Sequence, residues 1–442
     1  MKKLTITGLL LIIGFQLPAQ QLLRLEDAIV QALEQNYSIR LQQYHVEKSQ
    51  NNVSRAMSGQ RPVVEFSASY EGGYEDATNE IASIGDEPSA PISLDGTRTG
   101  FSAQNQMSVP LFTGFRNRYT YTQLENTAQM SQLELQGIVE QTISLVVLRY
   151  LEVSRLQMAL SIDQEVITNS LDRLQRIVTQ EEFGVGNSLS KLQAEVDLKT
   201  DSANYRMNLL NYENARRNLN QLLVQPADYS YRVEEDVQLI DDLQFEELRA
   251  EMLMNNTDVA LTQLGINRAT YQERITKASI YPNLSFFARM QYSNVQNEAG
   301  FLQSTETVGP TAGVQLNWTL FNGGKRKIER QNARIDVDHS KMQQLDVQQS
   351  LEISLSNTYS SYSNYKQQLR IEQFGLQSFE QNYQKTQDNF ELGLADATQL
   401  RTAQINLYAA QNRVNNLENN VKREEIELLR LSGRLKNTYN KN

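Results

Sequence analysis

Along residues 400–435 the apolar side chains Leu400, Ala403, Leu407, Ala410, Val414, Leu417, Val421, Leu428, Leu431 and Leu435 step by three and four, and only Glu424 interrupts the series. The preceding stretch steps the same way through Leu351, Leu355, Thr358, Tyr362, Tyr365, Leu369, Glu372, Leu376, Phe379, Tyr383, Thr386 and Phe390. A sustained period of about 3.5 residues predicts helices packed along a narrow seam, as in coiled coils. All eight prolines fall outside four long blocks of this kind, roughly 115–181, 187–224, 325–389 and 396–436. An interior proline costs a helix about 3 kcal/mol, so the segregation marks helix boundaries. The block from Phe115 to Glu181 has 67 residues. At 1.5 Å per residue it reaches on the order of 100 Å, more than a globular domain needs. Shorter helices are expected over about 25–58 and 245–278.

Elsewhere the period changes to two. Val64, Phe66, Ala68 and Tyr70 alternate with Val63, Glu65, Ser67 and Ser69. Phe101, Ala103, Met107, Val109 and Leu111 alternate with Ser102, Gln104, Gln106 and Ser108. Leu284, Phe286, Ala288, Met290 and Tyr292 do so against Ser285, Arg289, Gln291 and Ser293, and Ala312, Val314, Leu316, Trp318 and Leu320 against Gly313, Gln315, Asn317 and Thr319. The predicted strands, about 62–73, 100–112, 282–295 and 308–321, each have one apolar and one polar face, and are as long as membrane-barrel strands. Phe112, Trp318 and Phe321 near their ends suit a bilayer interface. Four strands cannot close a membrane barrel, which begins at about eight and tolerates no open edge in lipid. Identical subunits must then share one, and three chains with 12 strands leave more room for a lumen than two.

The chain also repeats itself. Leu25-Glu26-Asp27-Ala28, Asn36 and Pro62 are answered 220 positions later by Phe245-Glu246-Glu247-Leu248, Asn256 and Pro282. From Leu111-Phe112-Thr113-Gly114 onward the separation is 209: Leu320-Phe321-Asn322-Gly323, then Gly184 with Gly393, Ala194 with Ala403, Leu198 with Leu407. The 11-residue difference lies between Pro62 and Leu111, where the first repeat has the longer loop. The expected organisation is a leader over 1–19, a first repeat over 20–225 and a second over 226–442. Lys2 and Lys3 before the apolar run Leu4–Leu17 and the small residue Ala19 suggest a secretory leader with cleavage after Ala19.

Composition narrows the function. The net charge of −10 becomes −12 without Lys2 and Lys3, which gives no electrostatic reason to bind nucleic acid or an anionic membrane face. Cysteine is absent, which excludes disulfides, thiolate metal sites and a lipid anchor on an N-terminal cysteine. Mean hydropathy is −0.52, and beyond the leader no run approaches the roughly 20 apolar residues of a spanning helix. His45 and His339 lie in different helices without ligand partners, while Gly72-Gly73 and Gly323-Gly324 lack the Lys-Ser/Thr of a phosphate loop. No enzyme and no cofactor are expected. Arg116, Arg118, Lys325, Arg326 and Lys327 follow the two Leu-Phe-x-Gly motifs. They suit either lipid phosphates at a membrane edge or a solvated first helical turn.

The duplicated helix, strand-pair and long-helix plan, the Leu-Phe-x-Gly exits and the tips Phe183-Gly184-Val185-Gly186-Asn187-Ser188-Leu189 and Phe390-Glu391-Leu392-Gly393-Leu394-Ala395-Asp396 together resemble the TolC-type outer-membrane efflux protein family. The resemblance covers essentially the whole mature chain. It implies a mainly α fold with a membrane β-barrel portion: a homotrimer with a shared 12-stranded barrel above a long periplasmic helical barrel whose mouth is closed at rest. It further implies an exit duct of a tripartite efflux or type I secretion system in the outer membrane, in contact with its lipid, with a periplasmic adaptor and an inner-membrane pump as partners. The adaptor contacts would be Phe183, Gly184, Val185, Gly186, Leu392, Gly393, Leu394 and Asp396. Leu111, Phe112, Gly114, Leu320, Phe321 and Gly323 would join barrel to helices. Many relatives carry Asp at the closed mouth where this chain has Gln399, Thr402, Ser190 and Gln193. The resemblance therefore does not extend to an acidic ring at those gate positions; Asp396, Glu391 and Asp388 are the nearby acidic residues. A periplasmic coiled-coil adaptor would share the helices, and a general diffusion porin would share the strands. The exported substrate and the pump class are not readable from these residues.

Overall fold

The computed structural model describes residues 22–79, 92–184, 187–235, 243–299 and 302–439; the leader, the long loop of the first strand pair, Val185 and Gly186 lie outside them. The chain is mainly helical and falls into two compact units that cut across the sequence repeats.

One unit holds residues up to Tyr44, Leu133–Ala260 and Asp346 onward. It contains most of four long helices: α3 (Arg116–Glu182), α4 (Ser188–Leu222), α7 (Lys325–Glu391) and α8 (Ala397–Leu431). Helices α3 and α7 each have 67 residues, and α4 and α8 each have 35. Their ends are offset by the same 209 positions as the sequence repeats. The core is apolar and contiguous, with Val146, Tyr150 and Val153 of α3, Leu219 of α4, Leu355 of α7 and Ile426, Leu428 and Leu431 of α8. Two short strands, β1 (Leu22–Leu23) and β4 (Arg232–Val233), pair in parallel against α3. The Tyr150 hydroxyl donates to Leu23 O at 2.9 Å and accepts from Glu234 N at 2.9 Å. Gln157 bonds both Val233 O and Val233 N, at 3.0 and 3.1 Å. Glu234 N also donates to Leu23 O at 3.2 Å, so the Tyr150 and Gln157 side chains add to the bonding of a two-residue ladder that is too short to satisfy its backbone groups alone.

Three boundaries differ from the sequence expectation, each for a local reason. The helix expected over 25–58 is two, α1 (Leu25–Gln35) and α2 (Tyr37–Asn52), broken at Asn36. The helix expected over 245–278 is likewise α5 (Phe245–Asn255) and α6 (Thr257–Lys277), broken at Asn256, and a short 3-10 turn (Ala278–Ile280) follows. Each asparagine has extended backbone, near φ −61°, ψ 129° and φ −68°, ψ 129°. Asn36 Oδ1 accepts from Ser38 N and Asn256 Oδ1 from Asp258 N, both at 2.9 Å, so each caps the second helix of its pair. The two amides donate to Leu222 O and Leu431 O, the ends of α4 and α8. The last helix ends at Leu431 rather than 436, because Gly433 turns left-handed at φ 74° before the short α9 (Leu435–Tyr439). A Cβ on Gly433 would lie 2.8 Å from Asn255 O. The matching position in the first repeat is Val224, also left-handed at φ 55°. The seam of α8 is also wider than one stripe. Lys422, Glu425, Ile426 and Leu429 are buried beside Val421 and Leu428, since α8 meets α3 as well as α7. Asn415 donates to Arg155 O at 2.9 Å on one side, and Arg413 meets Glu372 at 3.0 Å on the other.

The second unit holds His45–Gln132 and Leu261–Leu345. Strands β2 (Val63–Asn79), β3 (Ile92–Phe112), β5 (Asn283–Asn297) and β6 (Ser304–Asn317) form an antiparallel sheet in the order β2-β3-β5-β6. The register aligns Val64, Met107, Ala288 and Ala312 in one row and Ala68, Ala103, Tyr292 and Val308 in another. The alternate face has Ser69, Ser102, Ser293 and Thr307 in one row and Glu65, Gln106, Arg289 and Thr311 in another. In the isolated chain the apolar face is uncovered: Val64, Phe66 and Tyr70 are 69 to 71% exposed. β2 and β3 run further outward than expected, and β6 begins at Ser304 and stops at Asn317. Trp318, Leu320 and Phe321 therefore lie beyond the strand, and Trp318 Nε1 donates to Ile280 O at 3.0 Å. A bulge between Pro110 and Phe112 sets Phe112, not Leu111, opposite Leu284. Proline cannot donate to a ladder, and the bulge at that point absorbs the missing bond.

Candidate functional site

Among the described residues no group of three or more His, Asp or Glu could hold a metal ion. No described helix is long and apolar enough to cross a membrane. The places where local structure is specialised are the strand-to-helix junctions and the helix-hairpin tips.

At the first junction, Gly114 and Phe115 are both left-handed, at φ 64° and 66°. A Cβ on Gly114 would lie 2.6 Å from Ala278 O, so only glycine fits. Phe112, Phe115 and Tyr281 close over it edge-to-face, with centroids 5.5 to 6.4 Å apart. Leu111 is exposed at the bulge. At the second junction Gly323 and Gly324 are left-handed at φ 67° and 85°, but no atom lies within 4 Å of an added Cβ. Leu320 and Phe321 there are exposed.

At the first tip Gly184 ends α3 at φ 73° with open space around it, and Phe183 is exposed. Asn187 Oδ1 accepts from Leu189 N at 2.9 Å and starts α4. At the second tip Gly393 ends α7 at φ 72°, also in open space, and Leu392 and Leu394 project into solvent. Asp396 and Gln399 form a reciprocal capping box at 2.8 and 2.9 Å, which starts α8. The tips thus present apolar side chains on helix ends that are already satisfied. Val185 and Gly186 fall outside the described residues.

Of the four gate candidates, the structure brings Ser190, Gln193 and Thr402 to one groove of about 410 Å³ between α4 and α8, which Arg173 and Arg401 also line. Gln399 stays in its capping box. Gln193 donates to Asp197 Oδ1 at 3.2 Å, and Thr402 Oγ1 to Thr398 O at 2.9 Å.

Next to this groove lies a feature absent from the sequence reading. Arg173 of α3 is 3% exposed and meets Asp197 of α4 at 2.8 Å. Arg401 of α8 meets Asp201 of α4 at 2.7 Å, and its Nε is 3.7 Å from Asp197. Ser170 Oγ donates to Asp201 Oδ2 at 2.6 Å, and both arginines donate weakly to Gln404 Oε1 at 3.4 Å. Two arginines and two aspartates balance in charge, which is how buried charges are tolerated. Burial, and the Arg401 guanidinium beside it, hold Arg173 below the usual arginine range. The available signal was the i, i+4 pair Asp197 and Asp201, on one face of α4. Its arginine partners are 24 and 200 positions away, beyond any helical period. Further along the same helices Asn169 donates to the Tyr408 hydroxyl, and burial pushes that phenol up to about 12.

The sequence profile described as outer membrane efflux protein matches residues 28–224 and again 248–434. Solved structures share the fold at low identity. The Campylobacter jejuni CmeC outer membrane channel superposes with a TM-score of 0.75 at 15% identity, over 93% of this chain and 86% of that one. VceC, the outer membrane protein of Vibrio cholerae, gives 0.71 at 15% identity over 92% and 96%. The open state of the Neisseria gonorrhoeae MtrE outer membrane channel gives 0.69 at 16% over 93% and 89%.

Proposed function

The chain belongs to the outer membrane efflux protein family, and on that premise we propose that three copies form the exit duct of a tripartite efflux or type I secretion system. It is an outer-membrane protein with a periplasmic helical part. The observation that carries the trimer is the sheet. Its four strands have an uncovered apolar face, and β2 and β6 each have one unpaired edge within the chain. Lipid offers no partner for those edge N–H and C=O groups, so β6 of one copy pairs with β2 of the next until the ring closes. A diffusion porin, by contrast, carries its whole barrel in one chain and has no use for 67-residue helices.

The conduit is passive, with energy coming from the inner-membrane pump. An adaptor docks on Phe183, Leu392 and Leu394, and the packing of α7 against α8 shifts outward, which opens the mouth beside the groove of Ser190, Gln193 and Thr402. Two experiments test this reading. Outer-membrane fractions should yield heat-modifiable trimers, and deletion should abolish export; a detergent-free soluble monomer overturns the proposal. Across the α7–α8 seam, Gln373 and Glu418 approach to 3.5 Å. A Gln373→Cys, Glu418→Cys pair should block export when oxidised and release it on reduction. Unchanged export with the disulfide formed would sink the gating step.

A further inference from the structure

The second strand-to-helix junction is the counterpart of the first in sequence but not in packing. Where Phe112, Phe115 and Tyr281 fill the first, the second leaves a groove of about 650 Å³ between the end of α6 and the start of α7. Its lining is sharply divided. Leu320 and Phe321, 76 and 83% exposed, form the end nearest the strands. Arg326, Lys327, Arg330 and Arg334 line the α7 side together with Gln331, with 326, 330 and 334 one helical turn apart on the same face of α7, and Lys277 and Ile280 line the α6 side. The single carboxylate lining the groove, Glu273, is paired with Lys277 at 2.6 Å. Arg326 donates to Thr319 O, a neutral partner. Lys327, Arg330 and Arg334 have no ion pair among the described residues, so the groove carries a net positive charge. In a chain with formal charge −10 this concentration is not compositional.

On the duct proposed above, on which this inference rests, the junction follows the last membrane-barrel strand and precedes the periplasmic helices, which sets it at the periplasmic leaflet. We infer that this groove binds the phosphate of an anionic phospholipid of that leaflet, with Arg330 and Arg334 forking the phosphate oxygens and Leu320 and Phe321 lying along the first acyl carbons. Planar guanidinium groups are suited to phosphate oxygens, and a basic pocket against apolar side chains is the arrangement that holds anionic headgroups. The first junction offers no such groove because Tyr281, just past the end of α6 in the second repeat, packs on Phe112 and Phe115 and fills the space.

Native mass spectrometry of the purified trimer, mixed with phosphatidylglycerol or with phosphatidylcholine, tests the inference against the variant Lys327→Gln, Arg330→Gln, Arg334→Gln. The wild type should retain phosphatidylglycerol in preference to phosphatidylcholine, with about fivefold weaker binding for each charge removed. Equal retention of the two lipids, or equal retention by the variant, overturns the site. Competition by millimolar inorganic phosphate as effective as that by the lipid overturns the lipid assignment in favour of free phosphate. If the triple variant does not assemble into heat-modifiable trimers, Arg330→Gln alone should still weaken binding severalfold, and no change there counts against the inference. Arg330→Cys should react with a soluble maleimide in delipidated trimers and be protected by phosphatidylglycerol. Cross-linking of that cysteine to a second copy instead would assign the groove to the subunit interface.

Discussion

Several side chains do structural work that only a measurement on single residues can separate. Asn36 and Asn256 each start one helix and bind the end of another, so replacing either with Ala removes a cap and leaves a buried carbonyl unsatisfied. A loss of about 1–3 kcal/mol is expected for each, read as a lower midpoint in denaturant. At the matched left-handed positions the signs should be opposite. Val224→Gly should stabilise, by about 1 kcal/mol, because a β-branched residue is strained at positive φ. Gly433→Ala should destabilise by more than that, because its Cβ would also meet Asn255 O. In the partly buried quartet, Arg401→Met leaves the buried Asp201 with Ser170 as its remaining partner and should cost about 3–5 kcal/mol. Adding Asp201→Leu should recover much of that loss, and a double-mutant cycle with no coupling would show that the pair is not a unit.

At the scale of elements, burial raises the pKa of Asp163 in α3 and of Glu418 and Glu424 in α8. A carboxyl whose folded pKa is raised binds more protons folded than unfolded, so stability falls as pH rises from the ordinary carboxylate value through the raised one. The helical unit should therefore gain stability on acidification from neutrality towards pH 4.5, the direction opposite to that of salt-bridged acids. Glu418→Gln should flatten this slope in thermal unfolding between pH 7 and 5, and an unchanged slope would remove Glu418 from the account. The tips give a second element-scale expectation. Both hairpins end in satisfied caps with apolar residues outside them, so Leu392→Asp with Leu394→Asp should leave trimers intact while abolishing cross-linking to the adaptor and export.

The whole molecule is governed by an incomplete surface. An apolar sheet face and two unpaired strand edges cannot be left in one chain in lipid, whereas a closed ring removes the edges. Charge at β2 should therefore act on assembly. Phe66→Asp on the bilayer face should reduce the outer-membrane trimer, at about 2–4 kcal/mol for a charge near the midplane and less near an interface. Ser67→Asp, on the alternate face, should assemble normally, as seen by the heat-modifiable band.

Much of this was legible in the chain because it depends on period. The step of three and four marked α7 and α8, the step of two marked both faces of all four strands, and the 209-residue offset recurs in the helix ends. The family resemblance read from the Leu-Phe-x-Gly exits and the tips agrees with the matched profile. Periodicity carries no record of what a side chain meets from a distant helix. For that reason the sequence alone left Asn36 and Asn256 inside continuous helices, ended α8 too late and kept Leu111 in register across a bulge. It also left Arg173, Asp197, Asp201 and Arg401 unremarked, since their partners come together only when α3, α4 and α8 pack. Two junctions alike in their Leu-Phe-x-Gly motif are one closed and one open within the single chain for the same reason: Ala278 and Tyr281, more than 160 positions away, pack on Gly114, and no described side chain of the same chain does so on Gly323.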